Sequence, residues 1–295
     1  MQTSTSTSGA RRCCAYCNAT SDLTREHVLP QFIEDREVER GRGKSITNIK
    51  AGGREKAVQT EVTIADVCGI CNNGVLSRLD NYAARLYDQF FATYPLPGKA
   101  IRFNFDFDVL LCWLLKLAYN TGRSQGWSPG LLRSLRDAVP YIKGQTGRPP
   151  SIKLFLQLIV AARVSSGETR RAEQQPGEQM AEIPPDFRRI MVFTIRGVIG
   201  YRIAMNGYYF YLLFRNPDGT AAEHRKLERH FYGEVKGAKH LDPNTATTII
   251  YPSSVSILDL AKNEPFLQSS IAGAAQWTED RKKRGMRPKG STESR

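Results

Sequence analysis

Leu76, Leu79, Ala83, Leu86 and Phe90 recur at steps of three and four, so a helix would carry them on one stripe against a core. The run "YPLPG" at 94–98 ends that pattern and predicts a boundary between two modules. Beyond it, "FDVLLCWLLKLAYN" predicts a buried helix. "SPGLLRSLRDAV" predicts another, with Ser128 as its cap and Pro129 in the first turn. "IKLFLQLIV", "IMVFTI", "YRIAM", "YYFYLLF" and "TATTIIY" read as strands, with Asn206–Gly207 as a type I′ turn joining two of them. Upstream, "QTEVTIADV" alternates as a strand, and the charged stretch 34–56 reads as a surface loop with a hairpin at Gly52 and Gly53.

This pattern divides the chain into a polar tail (1–12), a first module (13–95), a mixed α+β region (96–278, with a linker at about 165–186) and a basic tail (279–295). The fold class expected is α+β. No apolar run approaches the roughly 18 to 20 residues that cross a bilayer, and the best, "VLLCWLL", stops at Lys116. The start lacks the apolar core of a secretory signal. The expectation is a soluble, cytoplasmic protein.

Charge sharpens this picture. Across 295 residues, 42 Lys and Arg face 29 Asp and Glu, and the net charge of +13 favours a polyanion, with nucleic acid first. The loop supplies Arg40, Arg42, Lys44, Lys50, Arg54 and Lys56 as candidate phosphate contacts, interleaved with Asp35, Glu37, Glu39 and Glu55. His224, His230 and His240 lack metal-ligand spacing and read as surface residues.

Five of the six cysteines fall in two tight clusters. Cys14 and Cys17 form one CxxC, and Cys68 and Cys71 another, the spacing with which two turns complete a tetrahedral thiolate site for zinc. Cys13 offers a CxxxC alternative to Cys14, and Cys112 sits in an apolar helix as a small core residue. A zinc ion with four thiolates is coordinatively closed, so any chemistry must lie elsewhere.

"TREHVLP" and "VCGICNNGVLSRLD" together resemble the zinc-containing HNH endonucleases. The matching residues are Cys14, Cys17, Glu26, His27, Pro30, Cys68, Cys71 and Asn72, and the likeness covers about residues 13–90. It implies a ββα-metal module that hydrolyses phosphodiesters. Glu26 and Asn72 would ligate a catalytic Mg²⁺ or Mn²⁺, and His27 would act as general base, with DNA favoured over RNA as partner. The chemistry of the residues agrees: a carboxylate and an amide oxygen are hard ligands, and an imidazole titrates near neutrality.

Three positions depart from the commonest pattern. Glu stands where Asp is more frequent, the middle Asn has only Asn48 as a candidate, and Asn73 adjoins Asn72. Asp80 either supports the site or is a solvated helical carboxylate. A noncatalytic zinc ribbon that binds nucleic acid or protein is the competing expectation.

Overall fold

The most apolar segment of the chain folds as the central helix of a mixed α+β structure. The computed structural model describes residues 12–20, 22–40, 47–51, 54–58, 62–165, 180–183 and 188–262; of these, 47–51, 54–58, 163–165, 180–183 and 261 are described as backbone. In chain order come β1 (Leu23–His27), α1 (Gln31–Glu39), β2 (Thr47–Ala51), β3 (Arg54–Val58) and β4 (Thr63–Cys68). Next is a helical run of α2 (Gly69–Cys71), a π turn (Asn72–Leu76), α3 (Ser77–Leu86) and a second π turn (Tyr87–Phe91). The apolar stripe read from the sequence is real: Leu76, Leu79, Ala83, Leu86 and Phe90 are all buried.

After β5 (Ile101–Asn104), α4 (Phe107–Ser124) buries most of its length, capped by Asp106, whose side chain accepts from the Val109 N–H. Ser128 caps α5 (Pro129–Asp137), as its position before a proline predicts. A short α6 (Val139–Ile142) leads to β6 (Ile152–Leu158). The segment expected to be a linker at about 165–186 carries a strand: β8 (Met180–Ile183) pairs antiparallel with β7 (Ala162–Ser165), and the residues between them lie outside the described set.

The main sheet follows with β9 (Arg188–Ile195), β10 (Val198–Met205) and β11 (Tyr208–Phe214). Asn206 and Gly207 join the last two at φ of 49° and 93°, the left-handed pair that a type I′ turn requires. Then come α7 (Ala221–Glu234), β12 (Lys239–His240), β13 (Thr247–Ile250), which pairs with β5, and α8 (Ile257–Ala261). The five strands lie in the order β12-β6-β11-β10-β9 with every pair antiparallel.

Side chains of a strand alternate between faces, and both faces of this sheet are covered. Tyr208, Phe210 and Leu212 of β11 join the larger core with α4, whereas Tyr209, Tyr211 and Leu213 join a smaller one with Leu227 and Phe231 of α7. Phe91, at the end of the first module, packs between these layers against Tyr208, Phe210 and Trp113. Burying one such ring contributes about 1.5–3 kcal/mol. The larger core runs from Cys14 to Ile250 without a break at "YPLPG".

The charged stretch expected as a loop departs from that expectation at its start. Its first residues belong to helix α1, where Ile33, Glu34 and Glu37 are buried. The reason lies far along the chain: Arg188 of β9 reaches the Glu37 carboxylate at 2.8 Å, Asn206 donates to it at 2.8 Å, and the Tyr87 hydroxyl donates as well. A charge pattern that reads as solvated is thereby paired inside the protein. Two strands flank the expected hairpin, β2 pairing antiparallel with β3, and Gly52 and Gly53 lie outside the described residues. No helix among the described residues is long and apolar enough to cross a membrane.

Candidate functional site

The two knuckles are built differently and meet at one point. At the first, Asn18 takes a left-handed φ of 62° and its N–H donates to the Cys14 carbonyl, while the Cys14 N–H donates to that of Ala19. At the second, Cys68 is extended and Gly69 begins the helix, its N–H donating to the Asp22 carbonyl. The sulfur atoms of Cys14, Cys17, Cys68 and Cys71 all lie within 4.8 Å of one another, and Cys17 and Cys68 are 3.5 Å apart. Tetrahedral zinc with bonds of about 2.3 Å needs thiolates roughly 3.8 Å apart. The four cysteines could therefore hold a zinc ion.

Their acidities are already spread. Burial pushes the Cys14 thiol up, but backbone N–H groups of Cys68, Tyr16 and Cys17 outweigh it and bring it down from 9.0 to about 7. Burial drives Cys71 upward, reinforced by the neighbouring sulfurs. Cys13 is exposed and outside the cluster, which resolves the CxxxC alternative in favour of Cys14.

Beside the knuckles, β1 pairs with β4, and the register shifts between Thr24↔Val67 and Glu26↔Ile64. One extra residue on β4 makes this bulge, a device that re-aims side chains. Arg25 has no partner in the register, and Asn72, in the π turn just after Cys71, takes its place: Nδ2 donates to the Arg25 carbonyl at 3.1 Å and to Thr24 Oγ1 at 2.9 Å. A carbonyl can only accept, so the amide orientation is fixed and Oδ1 faces elsewhere. Thr24 in turn donates to the Val67 carbonyl.

Glu26 goes another way. It is buried, and its Oε1 lies 2.7 Å from the ammonium of Lys116 on α4 and 3.3 Å from Asn120 Nδ2. Lys116, which the sequence marks as the end of an apolar run, is 0% exposed and also lies 2.5 Å from Asp80 Oδ2. Burial raises the Asp80 carboxyl while Lys116 opposes the shift. The Trp113 side chain also reaches this carboxylate and opposes the shift, and Oδ1 of Asp80 is buried. Asp80 is thus neither a freely solvated carboxylate nor remote from Glu26.

Asn120 is itself held in place. Its Oδ1 accepts from the Tyr16 hydroxyl at 2.7 Å and from Arg123 Nη2 at 2.9 Å, which leaves Nδ2 to face Glu26. Burial raises the Tyr16 phenol, so it stays protonated and donates. Tyr16 lies between Cys14 and Cys17, so the knuckle and Glu26 share one hydrogen-bonded chain.

His27 closes β1, pairs with Thr63 and is half-buried. Successive strand residues leave on opposite faces, so His27 departs from the face that Glu26 presents to α4. The structure brings Asn72 onto β1 and Glu26 onto α4; among the described residues no hydrogen bond joins Glu26 to Asn72.

Of the candidate phosphate contacts, Arg40 is exposed, though Nη1 donates to the Ala92 carbonyl and its guanidinium lies over the Tyr87 ring. Arg42 and Lys44 fall outside the described residues; Lys50, Arg54 and Lys56 lie on the β2–β3 hairpin, as does Asn48. His240 corrects an expectation: instead of a surface residue it is half-buried with its ring 5.3 Å from that of Phe155.

Residue spacing does not mark Lys116, Asn120 or Tyr16 as neighbours of Glu26. A lysine and an asparagine inside an otherwise apolar helix were the available signal. No family model matches the chain, and no curated protein or solved structure matches it either.

Proposed function

We propose that the protein is a metal-dependent, HNH-type endonuclease that hydrolyses phosphodiester bonds, in DNA before RNA. The observation that carries this reading is Asn72: directly after the last cysteine of the thiolate cluster, it is fastened to the strand that carries Glu26 and His27. Two antiparallel strands followed by a helix, with the four-cysteine cluster where the second strand meets that helix, agree with it.

The residues fit a catalytic divalent cation in part. With Nδ2 fixed on β1, Asn72 can offer Oδ1; Glu26 Oε1 is occupied, and among the described residues Oε2 has no hydrogen-bond partner. Two carboxylates share one ammonium, so the cluster keeps negative charge for a cation. A bound Mg²⁺ or Mn²⁺ would neutralise charge growing on the phosphate. Glu26 and Asn72 would hold it, and an imidazole nitrogen of His27 would take the proton of the attacking water. Arg40, Arg42, Lys44, Lys50, Arg54 and Lys56 would grip flanking phosphates, giving affinity without sequence choice.

One observation favours a second reading, a noncatalytic zinc module that binds nucleic acid. The Glu26 carboxylate already has a cation, the ammonium of Lys116.

Plasmid nicking with Mg²⁺ or Mn²⁺ separates the two. His27→Ala is expected to keep its fold and its zinc and to lose about 100-fold or more in cleavage rate, the size of a general-base contribution. Equal cleavage by both proteins removes His27 from the mechanism; no cleavage by the wild type, with retained binding, selects the second reading.

A further inference from the structure

We propose that Glu26 and Asp80 form an internal cation site whose resident cation is the ammonium of Lys116, and that this tethered charge positions Glu26 from behind the candidate active site.

Nζ is 2.7 Å from Glu26 Oε1 and 2.5 Å from Asp80 Oδ2, so the two carboxylates approach each other across a single ammonium. The lysine is fully buried, and a buried ammonium persists only when its charge is met by close partners. Glu26 also keeps an oxygen, Oε2, with no hydrogen bond among the described residues, and Oδ1 of Asp80 is buried with the Trp113 side chain beside the carboxylate. Two carboxylates facing one gap are the donor set of a hard-cation site. Here a side chain fills it. Asn120 adds a second hold on the same Glu26 oxygen, and Tyr16 and Arg123 fix Asn120 in turn.

The consequence concerns how the site is assembled. Lys116 and Asn120 belong to α4, beyond the segment that resembles a nuclease module, so the cysteines and β1 do not by themselves set the Glu26 carboxylate. By clamping Oε1, Lys116 leaves Oε2 as the atom that Glu26 can present, and it bars a divalent ion from the gap between Glu26 and Asp80. The positioning role rests on the nuclease reading; the cation site does not.

Lys116→Met in the full chain tests both parts, with MnCl₂ as probe. Removing the ammonium should make Mn²⁺ binding, read by titration and by thermal shift, about tenfold tighter or more than in the wild type, because an opposing unit charge has left a two-carboxylate site. Nicking should fall at the same time, since the new ion lies on the wrong side of Glu26. Adding Asp80→Asn should return Mn²⁺ binding to the wild-type level without restoring nicking. A purely structural lysine would lower activity without tightening Mn²⁺ binding.

A Lys116→Met protein with the Mn²⁺ response of the wild type overturns the cation site, and one with full nicking overturns the positioning role. If Lys116→Met folds only when Mn²⁺ is present, the proposal is upheld. If it folds under neither condition, Lys116→Met with Glu26→Gln and Asp80→Asn leaves no unpaired charge and should fold; its failure overturns the proposal. The Mn²⁺ measurements involve no cleavage, so a wild type without nuclease activity would remove the functional reading and leave this inference standing.

Discussion

Single side chains here behave according to what other elements press against them. His240 shows this on β12, where its pKa is held below 6.5, first by burial and then by Lys153, with Arg215 adding to the effect and Glu228 and Asp242 opposing it. The sign follows: a depressed folded-state value means that the neutral ring is favoured, so its contribution to stability is full above about pH 6.5 and is lost as the pH falls below that through the folded-state value. Thermal midpoints measured from pH 7.5 down to 5.5 should fall for the wild type more than for His240→Phe, which keeps a ring against Phe155. Equal slopes would show that the imidazole does not carry the effect. Asn72 was legible as a candidate because it follows a CxxC directly. Its partners Thr24 and Arg25 were not, since a hydrogen bond across a bulge leaves no trace in residue spacing.

Elements whose cause is local matched their sequence patterns. Helix α5 has its serine cap and its proline, the β10–β11 hairpin has Asn-Gly, and α3 has its apolar stripe. The knuckles are local too, yet neither is complete alone: a CxxC supplies two of four ligands, and β1 and β4 bring the pairs together. Zinc should therefore contribute to the folding of β1, β4 and the start of the following helix. Metal analysis should find about one zinc per chain. Replacing Cys14 and Cys71 by serine should abolish it and lower the thermal midpoint, as should a strong chelator on the wild type. A metal-free wild type with an unchanged midpoint would refute the centre. Acid should release the metal, because protons compete for the thiolates. Helix α1 was missed for the opposite reason: no apolar stripe marks it, and its buried Glu37 depends on Arg188 and Asn206.

At the scale of the molecule, that same cluster ties the first hundred residues to the sheet, with Glu37 entirely buried and Arg188 nearly so. Arg188→Met should cost about 3–5 kcal/mol in chemical denaturation, since it strands a buried carboxylate, whereas Arg188→Met with Glu37→Met should cost clearly less. Equal losses would mean that the ion pair is not what holds α1 to β9. The sequence by itself determined the classes of the elements with local signals, the hairpin at Asn206–Gly207, the four clustered cysteines and Asn72 beside them, because propensity, turn chemistry and ligand spacing act over a few neighbouring positions. Only the tertiary structure decided that a charged segment is an anchored helix, that both faces of the sheet are covered, and that Glu26 meets Lys116. Those outcomes depend on charges and surfaces far apart in the chain, whose free energy is set by what buries them together.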